Sequence, residues 1–186
     1  DNLKLKDVSS ILPWYSEVNT DKTVEIVNYM KNQAMNGEQI FYPIYSEEEM
    51  QADADKKDTG LFFFRGNAGA KTTIINAGGG FVYVAGIHDS FPHALELSKK
   101  GYNAFALIYR PGAQTACEDL ARAIAFLHGN AEKLQIDMTD YFLWGGSAGA
   151  RMAAWLGSYG TAYFGEKEYP APAAVIMQYT GLSQVT

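Results

Sequence analysis

The sequence predicts an α/β protein with a mostly parallel, doubly wound sheet that is preceded by antiparallel strands. The first observation behind this prediction is an alternation of apolar, strand-length runs with helical stretches, which continues for four strands in a row. Parallel strands need crossovers of about a dozen residues, and helices supply them. The second observation is that two glycine-rich turns directly follow predicted strands. Doubly wound sheets bind ligands beyond the carboxyl ends of their strands, so these turns form the candidate site.

The composition fits this fold class. The chain has 186 residues, of which 47% are hydrophobic and 19% charged, as in a globular domain with a substantial core. We expect one domain in all, in which residues 1–59 form a lead-in with helices and the first strand. Residues 60–186 then form the core of the sheet, with its C-terminal part missing.

Charge and hydropathy argue against a nucleic-acid partner and against a membrane span. The net charge is −6, and the Lys and Arg residues are scattered along the chain, which argues against nucleic acid. No apolar run approaches the roughly 20 residues that span a bilayer, so no membrane span is predicted.

The individual elements are predicted from apolar periodicity and from capping and turn residues. Residues 1–20 look like an irregular lead-in. The elements up to the first glycine turn are a helix over 23–34, a strand over 40–45, a short helix after the Ser46/Glu49 capping box, and strands over 61–64 and 72–76. The later elements are a helix over 90–101, a strand over 103–109, a long helix opened by Glu118 and Asp119, a strand over 141–144, a helix over 148–156 and a strand over 174–178.

Ser147 is the candidate nucleophile. It lies in Gly145-Gly146-Ser147-Ala148-Gly149, a G-x-S-x-G sequence between a predicted strand and a predicted helix. In this context the turn is typical of a nucleophile elbow, which holds the serine in a strained conformation with its Oγ above the sheet. Such a tight turn leaves no room for side chains two residues before and after the serine, so Gly145 and Gly149 are predicted to be required sterically. A glycine-rich turn with an incidental serine is the alternative.

The turn over residues 77–81, Ala-Gly-Gly-Gly-Phe, is the candidate oxyanion hole. An oxyanion hole needs backbone N–H groups with nothing in front of them, and consecutive glycines provide that. The N–H groups of Gly79 and Gly80, together with that of Ala148, are therefore predicted to surround the oxyanion. A dinucleotide-binding fingerprint would need glycine where Tyr83 stands, and no stretch completes the P-loop pattern. Taken alone, the turn is equally compatible with a flexible loop.

Taken in order, these motifs resemble a known family. Gly78-Gly79-Gly80-Phe81, Tyr109-Arg110-Pro111, Glu118-Asp119 and the elbow around Ser147 are similar to the hormone-sensitive-lipase-like and acetylxylan-esterase-like branch of the α/β hydrolases, over about residues 60–186. The resemblance implies an α/β-hydrolase fold and a small-molecule ester substrate, such as an acetyl or other short acyl group on a carbohydrate. It also implies Ser147 as nucleophile and Gly79, Gly80 and Ala148 as oxyanion donors. One departure is Ala77, because the family usually has histidine before the glycine triplet, so we expect the turn to be held differently.

A base and an acid for the serine are not found where this fold would have them. In the α/β hydrolases an acid, Asp or Glu, and then a histidine follow the nucleophile. The residues after Ser147 include neither Asp nor His, and their two acids, Glu166 and Glu168, precede the strand at Ala174, whereas the acid of the family would follow a later strand. We expect roughly 80–100 further residues that carry both groups, on a second polypeptide from a nicked chain or on a partner. Residues 181–186 would then be an exposed loop tip cut by a protease, and the last strand would leave an apolar edge exposed.

Three histidines precede the serine. His88 and His93 follow the glycine turn and are predicted at the pocket mouth, where His88 and Phe81 are the candidate pocket residues. A catalytic role would require an imidazole nitrogen within about 3 Å of the serine Oγ. His128, in the long helix, is predicted to be a surface residue, and Asp89 a capping or turn residue.

These features favour a carboxylic ester hydrolase that works through an acyl-enzyme on Ser147, with no cofactor and no metal. Two alternatives stay open: a peptidase of the same fold, and a non-catalytic binding protein that retains the fold, which Ala77 and the missing half of the triad would suit. The chain starts at Asp1 without a leader, which tilts the expectation towards an exported protein. The lone cysteine, Cys117, excludes an internal disulfide and is predicted to be a buried structural thiol, so the redox compartment stays open.

Overall fold

A computed structural model describes Lys4 and residues 18–180. The predicted loop tip over 181–186 and most of the predicted lead-in over 1–20 therefore lie outside the described residues. The strands are β1 (Phe41–Pro43), β2 (Gly60–Phe64), β3 (Lys71–Asn76), β4 (Asn103–Ile108), β5 (Asp137–Gly146) and β6 (Ala174–Gln178). The α-helices are α1 (Thr20–Met35), α2 (Glu47–Ala52), α3 (Gly86–Asp89), α4 (Phe91–Lys99), α5 (Ala113–Leu134) and α6 (Ala148–Tyr159), with 3₁₀ turns at Ala54–Asp58 and Ala162–Phe164.

The strands form one sheet in the order β1-β2-β4-β3-β5-β6. β2 is antiparallel to both of its neighbours, whereas β4, β3, β5 and β6 run parallel. The predicted mostly parallel sheet with antiparallel N-terminal strands is therefore confirmed. The chain leaves β3 for β4 on one side and then returns to β5 on the other side. The carboxyl ends of β3 and β5 thus flank the point where the strand order reverses, which is where such sheets bind ligands.

Helices cover both faces of the sheet, because successive strand side chains point to opposite faces. Phe63 and Phe105 face a core that also contains apolar side chains of α5 and α6. Phe64 and Ala104 face a second core, which is built with α1 and α4. Residues 103–107 of β4 are fully buried, as expected for a central strand that is covered on both sides.

The long helix α5 begins one turn earlier than predicted. It starts at Ala113 because Gly112, with φ 99°, ends the preceding turn without any side-chain cap that the sequence could reveal. Asp119 is consequently inside the helix, fully buried, where its Oδ1 accepts hydrogen bonds from the Tyr45 hydroxyl at 2.5 Å and from Arg110 Nη2 at 2.7 Å. This cluster ties α5 to the carboxyl end of β4 and to the segment after β1.

Two further predictions about α5 have opposite outcomes. Cys117 is 1% exposed, and burial raises the pKa of its thiol to about 12, which confirms the buried structural thiol. His128 is half-buried and not the freely exposed residue that was predicted, since its ring stacks on Tyr169 with centroids 5.0 Å apart and meets Tyr141 edge-on. The prediction failed because apolar partners from another segment cover this face of the helix.

No helix within the described residues combines the length and apolarity needed to cross a bilayer.

Candidate active site

A cavity of about 560 Å³ lies at the carboxyl ends of the parallel strands. Gly78–Gly80 from the turn after β3 and Ser147 from the turn after β5 line it together. Tyr179, which directly follows β6, and His88 and Asp89 of α3 form other parts of its wall. The two glycine-rich turns that the sequence singles out therefore meet at one site.

The backbone at Ser147 is strained. Its φ of 51° and ψ of −116° place an L residue in a region that side chains rarely adopt. The Ser147 N–H donates to the carbonyl of Gln178 at 3.1 Å, and its own carbonyl accepts from the N–H of Ala150 at 3.1 Å. Ser147 is also the N-cap of α6, so the positive end of the helix dipole lies directly behind it. This is the geometry of a nucleophile elbow.

The elbow leaves no space for side chains at its two outer glycines. A Cβ at Gly145 would overlap the backbone of Gly149, and a Cβ at Gly149 would overlap the carbonyl oxygen of Asn76. The start of α6 is therefore pressed against both the end of β5 and the end of β3. The prediction that Gly145 and Gly149 are sterically required is confirmed.

The glycine turn has backbone conformations that favour glycine. Gly79 has φ 135° and Gly80 has φ 64°, and a Cβ at Gly79 would overlap the carbonyl of Tyr83. Around Gly80 the space is open within 4 Å. Within the described part of the chain, neither of these two N–H groups donates to a backbone oxygen.

Two side chains hold the turn at its start. The hydroxyl of Tyr109 donates to the carbonyl of Ala77 at 2.5 Å. The N–H of Gly78 donates to Oδ2 of Asp89, also at 2.5 Å. Burial raises the pKa of the Tyr109 hydroxyl above its usual value, so this group stays a donor. The glycine turn is therefore anchored at its start, although Ala77 stands where the family that the sequence resembles usually has histidine.

The remaining predicted residues are not all at the cavity. His88 lines it, whereas Phe81 stacks on Trp155 with centroids 5.9 Å apart and packs against the core, so we correct its assignment from pocket to packing. The reason is that the Phe81 ring packs on Trp155 of α6. Ala148 is 4% exposed directly behind Ser147, and only its N–H is relevant to the prediction. His93 stacks on Trp144 with centroids 5.2 Å apart, and burial lowers the pKa of its imidazole.

Sequence reasoning missed two residues of the site, Asp89 and Tyr179. Asp89 was expected to cap or turn, but its carboxylate is 6% exposed and lies against the glycine turn. Tyr179 has φ 37°, and its hydroxyl donates to Asp89 although 65% of the residue is exposed. Burial and the hydrogen bond to Asp89 raise the pKa of the Tyr179 hydroxyl. No local pattern could reveal these contacts, because each joins segments far apart in the sequence.

No group of three or more His, Cys, Asp or Glu side chains in the described residues is arranged to hold a metal ion.

The sheet order, the strained serine between a parallel strand and a helix, and the facing glycine turn define the class: this is an α/β-hydrolase fold. Within that class, residues 65–176, more than half of the chain, match the family model described as BD-FAE, and the chain belongs to this family. No curated protein matches the chain significantly.

Solved structures with similar folds are esterases and related hydrolases. The acetyl ester-xyloside bifunctional hydrolase of Caldicellulosiruptor lactoaceticus superposes with a TM-score of 0.62 at 23% identity, over 75% of this chain and 56% of that one. MGS-M1, an α/β hydrolase enzyme from a Medee basin deep-sea metagenome library, gives 0.61 at 22% identity, over 78% and 57%. The apo form of Thermogutta terrifontis esterase 2 gives 0.60 at 20% identity, over 77% and 59%. The chain thus spans less than two thirds of the length of these proteins.

Proposed function

We propose that this chain carries the nucleophile and the oxyanion hole of a serine hydrolase that cleaves carboxylic esters. The observation that carries the proposal is the strained Ser147, which shares one cavity with the glycine turn. Membership of the BD-FAE family and the esterases among the similar structures support the same reaction class.

In this mechanism Ser147 Oγ attacks the ester carbonyl carbon, and its proton passes to a base and then to the leaving alcohol. The negative charge that develops on the carbonyl oxygen is held by the N–H groups of Gly79, Gly80 and Ala148. Such donors act in the transition state, where one of them is worth about 10²–10³ in kcat. Water then hydrolyses the acyl-enzyme by the same steps and frees Ser147. An acetyl or other short acyl group on a carbohydrate is the substrate we propose, in keeping with the xyloside hydrolase among the similar structures.

The base and the acid for Ser147 are proposed to come from a further segment of the protein, on the same or on a second polypeptide. The free side of β6 supports this part of the proposal. β6 pairs with β5 alone among the described strands, and its apolar residues Ile176 and Met177 are 38% and 45% exposed. An exposed apolar strand edge is a template for another strand. Native mass spectrometry should detect a second chain or a longer one, and a native mass equal to this chain alone would contradict this part.

A fluorophosphonate probe tests the reaction itself. The protein should be labelled at Ser147 and should hydrolyse p-nitrophenyl acetate, and Ser147→Ala should abolish labelling and lower kcat by about 10⁴-fold or more. Ser158→Ala is the matched control, because Ser158 lies exposed on the same helix and outside the cavity.

Three outcomes separate the alternatives. Hydrolysis of acetylated xylo-oligosaccharides with release of acetate would support the carbohydrate ester. Cleavage of a peptide substrate in preference to esters would favour a peptidase of this fold. A folded protein that is not labelled at Ser147 would refute the proposal in favour of a non-catalytic protein.

A further inference from the structure

Asp89 is a buried carboxylate that the reaction as proposed does not use. It ends the short helix α3 and is 6% exposed. Burying a carboxylate is costly unless hydrogen bonds satisfy it. Here Oδ2 accepts the Gly78 N–H at 2.5 Å, and the Tyr179 hydroxyl donates to the same side chain.

These contacts bring three separate segments to one point. A Cβ built on Gly78 would lie 3.0 Å from Ser147 Cβ and 3.2 Å from Asp89 Oδ2. A Cβ built on Gly146 would lie 2.7 Å from the same Oδ2 and would overlap the Tyr179 hydroxyl. The carboxylate is therefore wedged between the glycine turn, the elbow and the residue after β6.

The hydrogen bond between Asp89 and Gly78 lies next to the peptides that carry the proposed oxyanion donors. This hydrogen bond is charge-assisted, which makes it roughly twice as strong as a neutral one. It fixes the Ala77–Gly78 peptide plane, which directly precedes the two planes that carry the proposed oxyanion donors, the N–H groups of Gly79 and Gly80. The carbonyls of Gly78 and Gly79 in those two planes accept backbone N–H groups of residues 82–85. Glycines at φ 135° and 64° have many other conformations available, and Asp89 adds a charged side-chain anchor to the backbone hydrogen bonds that the turn makes.

We propose that Asp89 is a positioning residue that holds the glycine turn at a fixed place relative to Ser147, and that Tyr179 in turn holds the Asp89 side chain. The proposal rests on the proposed ester hydrolysis, and it assigns to Asp89 an effect on the transition state and not on substrate binding. A misplacement of about 1 Å of a catalytic group costs about 10²-fold in rate. Loss of the anchor should therefore appear in kcat.

The test compares three variants in the purified protein with p-nitrophenyl acetate as substrate. Asp89→Ala should lower kcat by about 10²-fold and leave KM within about threefold. Asp89→Asn keeps an oxygen that can accept the Gly78 N–H, so it should recover most of the activity lost in Asp89→Ala. Tyr179→Phe removes only the hydroxyl that holds Asp89 and should cause a smaller loss of kcat, with KM again unchanged.

Asp140→Asn is the matched control. It makes the same change of charge at an exposed residue near the opposite end of β5, and asparagine tolerates the φ of 53° found there. Its kcat and KM should equal those of the wild type.

Hydrogen exchange measured by mass spectrometry on peptides covering residues 77–82 gives a readout that does not depend on catalysis. Exchange there should accelerate in Asp89→Ala and less in Asp89→Asn, while the rest of the sheet keeps its protection. Unchanged exchange, or a raised KM at unchanged kcat, would overturn the role of Asp89. A wild type that is not labelled by the fluorophosphonate would refute the ester hydrolase instead, and the exchange data would still decide whether Asp89 anchors the turn.

Discussion

Replacement of Gly149 by alanine tests the geometry of the elbow with the smallest side chain available. The new Cβ would overlap the carbonyl oxygen of Asn76 and lie 2.6 Å from its carbon and 2.7 Å from the carbonyl oxygen of Ala77. These are backbone atoms at the end of the central strand β3, so no side-chain rotation relieves the overlap. The start of α6 and the end of β3 must therefore separate.

The size of the effect follows from these distances. An ordinary contact is at least 3.4 Å, so the Ala77 oxygen alone requires a separation of about 0.7 Å, and the Asn76 oxygen, which overlaps the new Cβ more closely, requires a larger one. Overpacking of this kind lowers the free energy of unfolding by about 1–3 kcal/mol. We use about 3 kcal/mol, because the new side chain meets backbone atoms that cannot rotate away. Alanine regains about 1 kcal/mol of helix propensity over glycine. The net loss of about 2 kcal/mol corresponds to a fall in Tm of about 4–8 °C for a chain of this length.

The assay is thermal unfolding followed by circular dichroism, with activity measured in parallel. Gly129→Ala is the control, because Gly129 lies in the interior of α5 with no atom within 4 Å of its Cβ position. It should raise Tm by about 2–4 °C through helix propensity alone. Gly149→Ala should also lower kcat by about 10²-fold, since the elbow moves with the helix. A shift of Tm in the same direction for both variants would refute the steric reasoning.

Two further predictions concern buried ionisable groups. Asp119→Ala leaves Arg110, 12% exposed, without its buried partner, and should lower the free energy of unfolding, measured in urea, by about 3–5 kcal/mol. The control is Asp137→Ala, which breaks a more exposed ion pair and should cost less than about 1 kcal/mol. Equal losses in the two variants would contradict the larger contribution of the buried pair. Burial against Trp144 lowers the pKa of His93 in the folded state, so the unfolded state takes up the proton first and stability falls as pH drops below about 6.5. When the pH is lowered from about 7.5 to about 5.5, the Tm of His93→Phe should therefore rise relative to the Tm of the wild type. A difference in Tm that stays constant across that range would count against the burial argument.

The elbow was predictable because its requirements are local. The strained serine needs glycine two positions away on either side, and the close contacts of Gly145 and Gly149 are the physical reason for that spacing. Strand β6 was predicted with its observed bounds, since an apolar run between turn residues marks a strand of a parallel sheet. The sequence does not predict the start of β5 at Asp137, because the first residues of this strand include polar ones that break the apolar pattern. The pairing with β3 is also irregular there.

The anchors of the glycine turn were not predictable in the same way. Asp89 reads as a turn residue in any local window, and nothing near Tyr179 indicates a partner 90 positions earlier. Phe81 shows the converse error, because its place beside the glycines suggests a pocket residue. Its positive φ and its stacking on Trp155 depend on how α6 packs, which the local sequence does not contain.

The elbow is not held by its own turn alone. The N–H of the strained Ser147 donates to the carbonyl of Gln178, the last residue of β6, and the next residue, Tyr179, anchors Asp89. The conformations of Ser147 and of the glycine turn therefore both depend on where β6 ends. Since β6 is the edge of the described sheet, with Ile176 and Met177 exposed, any strand that pairs with it acts on both halves of the site at once. Pairing of the proposed further segment with β6 would therefore act on the proposed nucleophile and on the glycine turn together.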